Sequence, residues 1–149
     1  FINLKKQKLN MVNNKKMIII KPLKKFKLVE GDVLHALKAS EEEFNGFKEA
    51  YFSTIKSNKI KAWKRHLHMT MNLVIPIGKV KFNFYDDKKN LLENIIIGED
   101  NYSRITVPPN VWFGFKGLSS HTSYILNISD VSHDPSEVER KPLSFLNFS

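Results

Sequence analysis

Residues 69–85 read Met69-Thr-Met-Asn-Leu-Val-Ile-Pro-Ile-Gly78-Lys-Val-Lys-Phe-Asn-Phe-Tyr85. An apolar run rich in branched residues ends at Gly78. From Lys79 the pattern alternates, with Val80, Phe82 and Phe84 on one side and Lys79, Lys81, Asn83 and Tyr85 on the other. A period of two marks a strand whose faces meet different surroundings, and a glycine between two such runs marks the turn. These residues therefore predict a strand, a tight turn and a second strand, closed by the polar turn 86–90.

The same reading extends in both directions. Segments 47–55, 60–68, 92–97, 103–107, 111–116 and 123–129 mix β-branched and aromatic residues. They are separated by Ser57-Asn58, Gly98-Glu-Asp, Pro108-Pro-Asn110 and the polar stretch 117–122. Many short strands punctuated in this way predict an all-β sandwich or barrel. Short helical turns are expected at 40–44, where Ser40 precedes three glutamates, and at 134–138, where Pro135 takes a first-turn position.

The chain has 149 residues, 42% of them hydrophobic, which suits a single domain with a core of its own. It has no cysteine, so disulfides, thiolate metal sites and cysteine nucleophiles are excluded. No apolar run approaches the ~18 residues of a membrane helix, and no apolar stretch of signal-peptide type follows the basic start. A soluble, cytoplasmic protein with no membrane partner is expected.

The net charge of +9 is unevenly placed. Residues 1–28 hold nine lysines and no acid, while the remaining 121 hold fifteen basic and fifteen acidic groups. The basicity belongs to a tail and not to the domain. Residues 1–25 are expected to form a flexible or non-native extension, and 26–149 the folded unit. The chain opens on Phe1, which leaves Met11 and Met17 as candidate natural starts. The tail has no arginine and no amphipathic helical pattern, so nucleic acid is not an expected partner.

The order of the segments resembles a known family. Gly31-Asp32 precedes a loop and the strand carrying Tyr51-Phe52-Ser53. The basic-aromatic strand Ile60-Lys61-Ala62-Trp63-Lys64-Arg65-His66-Leu67-His68 follows. After the 72–86 unit come Ile105-Thr-Val-Pro-Pro-Asn110-Val-Trp-Phe-Gly-Phe115 and Leu126-Asn-Ile-Ser-Asp130. Over about residues 29–143 this resembles the cupin jelly roll (the double-stranded β-helix), and within it the dTDP-4-dehydrorhamnose 3,5-epimerases. Val-Pro-Pro-Asn-x-x-Phe-Gly-Phe, close to the family's Ile-Pro-Pro-Gly-x-x-His-Gly-Phe, is the most specific piece.

The resemblance implies proton abstraction beside the ketone of a dTDP-linked 4-keto-6-deoxy sugar, in deoxysugar or surface-polysaccharide synthesis. It implies a homodimer and no cofactor. The family base lies in an Arg-Gly-Leu-His stretch, and two registers fit here: one puts Lys64 at the histidine, the other makes His68 the base. Phe113 stands at the family's second histidine, Leu126 at its tyrosine acid, and Asp130 matches its closing aspartate. His66-Leu-His68 also resembles the His-Ala-His of the sugar-nucleotide 3,4-ketoisomerases. A metal cupin would use His66 and His68, but Asn72 stands where its glutamate is expected and Phe113 at its last histidine, so no metal is assigned.

On a strand running through 60–68, Lys64, His66 and His68 share one face. With Lys61 and Arg65 they are candidates for holding a diphosphate. Trp63 and Trp112 are candidates for stacking a base or sugar, or else core residues. Asn72, Asn127 and the Asn83–Tyr85 face are candidate ligand contacts. Arg104 is a candidate phosphate contact across a dimer, or a solvated edge charge. Asp130 either orients the base or closes a turn. The rival expectations are a catalytically silent cupin that binds a carbohydrate or nucleotide sugar, and a small metal cupin.

Overall fold

The computed structural model describes residues 17–149. The lysine-rich residues 1–16, on which most of the tail reading rests, lie outside the described residues. The strands are β1 (Ile19–Pro22), β2 (Lys25–Phe26), β3 (Val33–Leu34), β4 (Glu49–Ile55), β5 (Ile60–His66) and β6 (Met71–Ile77). They continue with β7 (Lys79–Tyr85), β8 (Leu91–Gly98), β9 (Ser103–Val107), β10 (Trp112–Gly117), β11 (Ser123–Ser129) and β12 (Val138–Arg140). One five-stranded sheet runs β1-β9-β6-β11-β4 and a second runs β12-β5-β10-β7-β8, while β2 and β3 form a separate two-stranded ribbon. All strand pairs in these sheets are antiparallel. The two large sheets face one another as the sandwich of a jelly roll. β1, within the stretch expected to be an extension, adds a strand to the first sheet through β9.

The strand alternation builds the core. Val80, Phe82 and Phe84 from β7 meet Met71, Leu73, Ile75, Ile105, Val107 and Ile125 from the facing sheet. Burying a side chain such as Phe82 contributes about 1.5–3 kcal/mol. Gly78 turns the chain between β6 and β7 at φ 93°, and a Cβ there would collide with Ser123. Asn110, at the family's glycine, also has positive φ, which asparagine tolerates better than most residues.

Both expected short turns are present. The 40–44 segment is a pair of successive hydrogen-bonded turns, Glu41 N–H to Lys38 O and Phe44 N–H to Glu41 O. Pro135–Glu137 is a short 3₁₀ turn capped by Asp134, whose carboxylate accepts from Ser136 N–H. The outer face of the second sheet is not left to solvent. Trp63, Tyr85 and Trp112 form a second cluster there with Leu146, Phe145 and Phe148. Among the described residues, no helix is long and apolar enough to cross a membrane.

Candidate active site

A cavity of about 460 Å³ lies between the sheets, on the side where β4 and β12 are edge strands. Its first wall is Tyr51 and Ser53 from β4, Met71 and Leu73 from β6, and Ile125 and Asn127 from β11. Its second wall is Phe82, Phe113 and Phe115 with Lys61 and Lys64 from β5, Arg140 from β12 and Lys141 beyond it. Hydrocarbon and aromatic rings form the interior, and cations gather at the opening. Among the described residues, no carboxylate lines the cavity.

Strand parity explains most of this lining. Tyr51, Ser53 and Ile55 point inward from β4, as do Ile125 and Asn127 from β11. Lys61 and Lys64 are three apart and would face opposite ways on a regular strand. Pairing between β5 and β10 shifts register between Phe113 and Phe115, which lets both lysines border the cavity. Lys61 Nζ then donates to Thr54 O at 2.7 Å, joining β5 to β4. Arg140 sits directly opposite Lys64 in the β5–β12 ladder.

Lys64 is half-buried, and its pKa is lowered from the ordinary lysine value. Burial is the main cause; the positive charges of Arg140 and Lys61 add to it, and Glu137 opposes. Across the cavity, Asn127 Nδ2 donates to the Tyr51 hydroxyl at 3.0 Å. That bond uses the phenol oxygen as acceptor and leaves its proton available to a ligand. Asn127 is buried, and its Oδ1 has no partner among the described residues.

His66, 3% exposed, follows Lys64 on β5, and its ring stacks on Phe113. Its Nδ1 bonds to the Glu137 carboxylate. An ionised carboxylate only accepts, so Nδ1 carries the proton and Nε2 the lone pair. Nε2 is buried without a partner among the described residues. Burial lowers the His66 pKa against the opposing pull of Glu137. Burial acts to raise the Glu137 pKa, but His66 and the N–H groups of His68 and Met69 outweigh it and hold the carboxyl below its ordinary value.

This carboxylate also ends β5. Glu137 Oε2 accepts from the N–H groups of Leu67, His68 and Met69 at 3.1, 3.1 and 3.4 Å. Three successive N–H groups turned toward one oxygen cannot belong to a continuing strand. The strand expected over 60–68 therefore stops at His66. His68 leaves on an exposed bend, and the two histidines do not share a face. Among the described residues, no group of three or more His, Asp or Glu side chains is placed to hold a metal.

Of the candidates from sequence, Lys61, Lys64 and Asn127 line the cavity. Trp63 borders it, but its ring is packed edge-on against Tyr85 in the outer cluster and its Nε1 donates to Leu143 O. It is not free to stack on a ligand. The others lie outside the lining. Arg65 pairs with Asp87 and Glu139 and lies over Trp112. Tyr85 donates to Asn147 O. Asn72 accepts from Thr106 and donates to Glu43 O on the outer face of the first sheet. Arg104 is 0% exposed and bonds to Ala36 O and Glu41, so it is neither an edge charge nor a ligand contact. Asp130 closes a turn: its two oxygens accept from Thr70 N–H and Asn45 Nδ2.

Tyr51, Arg140, Lys141 and Glu137 were not singled out from the sequence. Tyr51 had a signal, since it shares strand parity with Ser53 and Ile55. Three-residue β12 carries no periodicity to read, and Glu137 meets His66 across 71 positions.

No family model matches the chain. A dTDP sugar isomerase from Desulfovibrio desulfuricans is similar in structure, with a TM-score of 0.82, 31% identity and 89% of each chain covered. The probable low-salt glycan biosynthesis epimerase Agl13 of Haloferax volcanii is 25% identical over 122 residues, covering 77% of this chain and 78% of that protein. The sugar 3,4-ketoisomerase QdtA of Thermoanaerobacterium thermosaccharolyticum, solved with TDP, shares the fold. Its TM-score is 0.67 at 17% identity, over 83% of this chain and 88% of that one.

Proposed function

The chain belongs to the dTDP-sugar isomerase and epimerase family, and from that premise we propose that it epimerises or isomerises a dTDP-linked 4-keto-6-deoxy sugar. It does so by proton abstraction next to the ketone, in deoxysugar or surface-polysaccharide synthesis. One observation carries this reading: Lys64 and Tyr51 line one cavity from opposite sheets, together with Lys61, Arg140 and Lys141.

The ketone acidifies its neighbouring carbons. Lys64, whose amine form is favoured by burial and like-charge neighbours, takes the proton as general base. Lys61, Arg140 and Lys141 hold the diphosphate and offset the charge that grows on the enolate oxygen. Tyr51, held by Asn127, returns a proton from the other wall. Removal on one side and return on the other inverts the carbon. Lys64 is preferred to His68, which lies on an exposed bend, and to His66, whose Nε2 is sealed.

The reading includes a homodimer in the cytoplasm. The outer face of β4 and β11 supports the pairing: Phe52 is 64% and Tyr124 40% exposed, on adjacent strands. Such a face suits a second copy.

The test is incubation with dTDP-4-keto-6-deoxyglucose in heavy water, followed by proton NMR. Loss of the signals beside the ketone, with formation of a new sugar isomer, is expected. Tight dTDP binding without any exchange would make the protein a silent binder and end the catalytic reading.

A further inference from the structure

Lys64 is an amine in unusual company. The interior beside it is apolar, built from Met71, Leu73, Phe113 and Phe115. Arg140 is its direct cross-strand neighbour. Among the described residues no carboxylate forms an ion pair with it. The nearby Glu137 is occupied by His66 and by the N–H groups of 67–69. Desolvation and like charge both favour the uncharged amine, the form with a lone pair to share. The same cavity gathers guanidinium and ammonium groups that draw anions to it.

We propose that Lys64 is a carbonyl-reactive lysine, and that the cavity captures aldehydes and ketones bearing a phosphate or diphosphate as imines on its Nζ. The amine lone pair attacks the carbonyl carbon, a C–N bond forms, and the carbonyl π pair moves to oxygen, which takes up a proton. The nitrogen loses a proton, the hydroxyl is protonated and leaves as water, and a C=N bond remains. Hydrolysis reverses the sequence, so the step is balanced without an oxidant or reductant. On a keto sugar such an imine occupies the lone pair that otherwise takes the proton, so it is a state alternative to the general-base step and not part of it.

This inference rests on the proposed site but not on the proposed substrate, so its probe is not a sugar. The full chain is treated with pyridoxal phosphate, an aldehyde with a phosphate group. Borohydride then delivers hydride to the imine carbon and fixes the adduct for peptide mass spectrometry. The expected result is a dominant adduct on Lys64 among the 21 lysines of the chain, lost in Lys64→Arg, which keeps a long side chain but cannot form the imine. Label spread over exposed lysines with Lys64 unmodified, in protein shown by circular dichroism to be folded, would overturn the proposal. Repeating the labelling with excess dTDP separates the two readings. Lys64 labelled with or without protection supports the reactive amine, whereas absence of protection counts against the nucleotide-sugar assignment alone.

Discussion

His66 gives its Nδ1 proton to Glu137, and both side chains are sealed from solvent. The pair fastens β5 to the segment that carries Arg140 and Lys141, and so positions the cationic side of the cavity. Removing one member leaves the other buried without its partner. Glu137→Ala leaves the His66 Nδ1–H and the N–H groups of Leu67, His68 and Met69 without an acceptor and should cost about 1–3 kcal/mol or more, read as a lower denaturation midpoint in urea. The pair also sets an acid limit. Both folded-state pKa values are lowered. Its contribution is complete above the ordinary histidine pKa of 6.5, declines as pH falls through the folded His66 value, and declines again as Glu137 protonates below its ordinary 4.5. Thermal melts between pH 7 and pH 4 should show Tm falling less steeply in His66→Phe than in the unaltered protein.

Lys64→Met should slow deuterium exchange beside the ketone by about 10²–10⁴-fold, the usual worth of a general base. The lowered Lys64 pKa means that exchange rises with pH and levels off below the ordinary lysine value of 10.5. A pH–rate profile with no rising limb in that range would remove Lys64 from the role.

Tyr51→Phe should separate two events that are joined in the unaltered enzyme. Proton removal by Lys64 persists, so solvent deuterium still enters the substrate, but product with inverted configuration falls by about 10²-fold or more. Equal loss of both would place Tyr51 in binding and not in proton return. Asn127→Ala should show the same separation in weaker form, because the phenol loses its positioning bond.

Arg140→Ala and Lys141→Ala are each expected to weaken dTDP binding by about tenfold or more, since a charge-assisted contact contributes about 1.5–3 kcal/mol. The loss should shrink as salt is raised, because both side chains are exposed. Calorimetric titration at two ionic strengths measures it.

The acid branch of the stability curve has a second source, at Arg104. Hydrogen bonds from Arg104 and then Lys21 lower the Glu41 pKa to about 2. Its contribution is present above the ordinary 4.5 and fades as pH falls toward 2. Arg104→Met should destabilise the fold, because it takes from Glu41 the first of its two cationic partners and from Ala36 O its donor, yet leave dTDP affinity of the folded fraction unchanged. A selective loss of dTDP binding would return Arg104 to the ligand contacts.

The sequence was most informative where one strand carried its own pattern. Val80, Phe82 and Phe84 announced an inward face from seven residues alone, and the Val-Pro-Pro-Asn stretch was the most specific piece of the family resemblance. It was least informative where identity depends on a distant partner. Asn83 and Tyr85 read as a polar face, yet the segment after Lys141 covers that side with Phe145, Leu146 and Phe148. Arg104 and Asn72 read as ligand contacts because nothing local shows that 36–43 folds over them. Extending β5 to His68 assumed an unbroken period, and a single carboxylate 69 positions away ends it. Lys64 lines the cavity from the position its strand parity gives it, whereas Arg140 belongs to a strand too short to have any.

Arg140 on the edge strand β12 lies directly opposite Lys64 on β5, and among the described residues no carboxylate lines the cavity beside them. Like charges directly opposite in a ladder are destabilising, so the pairing itself works against protonating Lys64. A phosphate group beside Arg140 would offset that field, which couples the charge of whatever enters the cavity to the proton affinity of the amine within it.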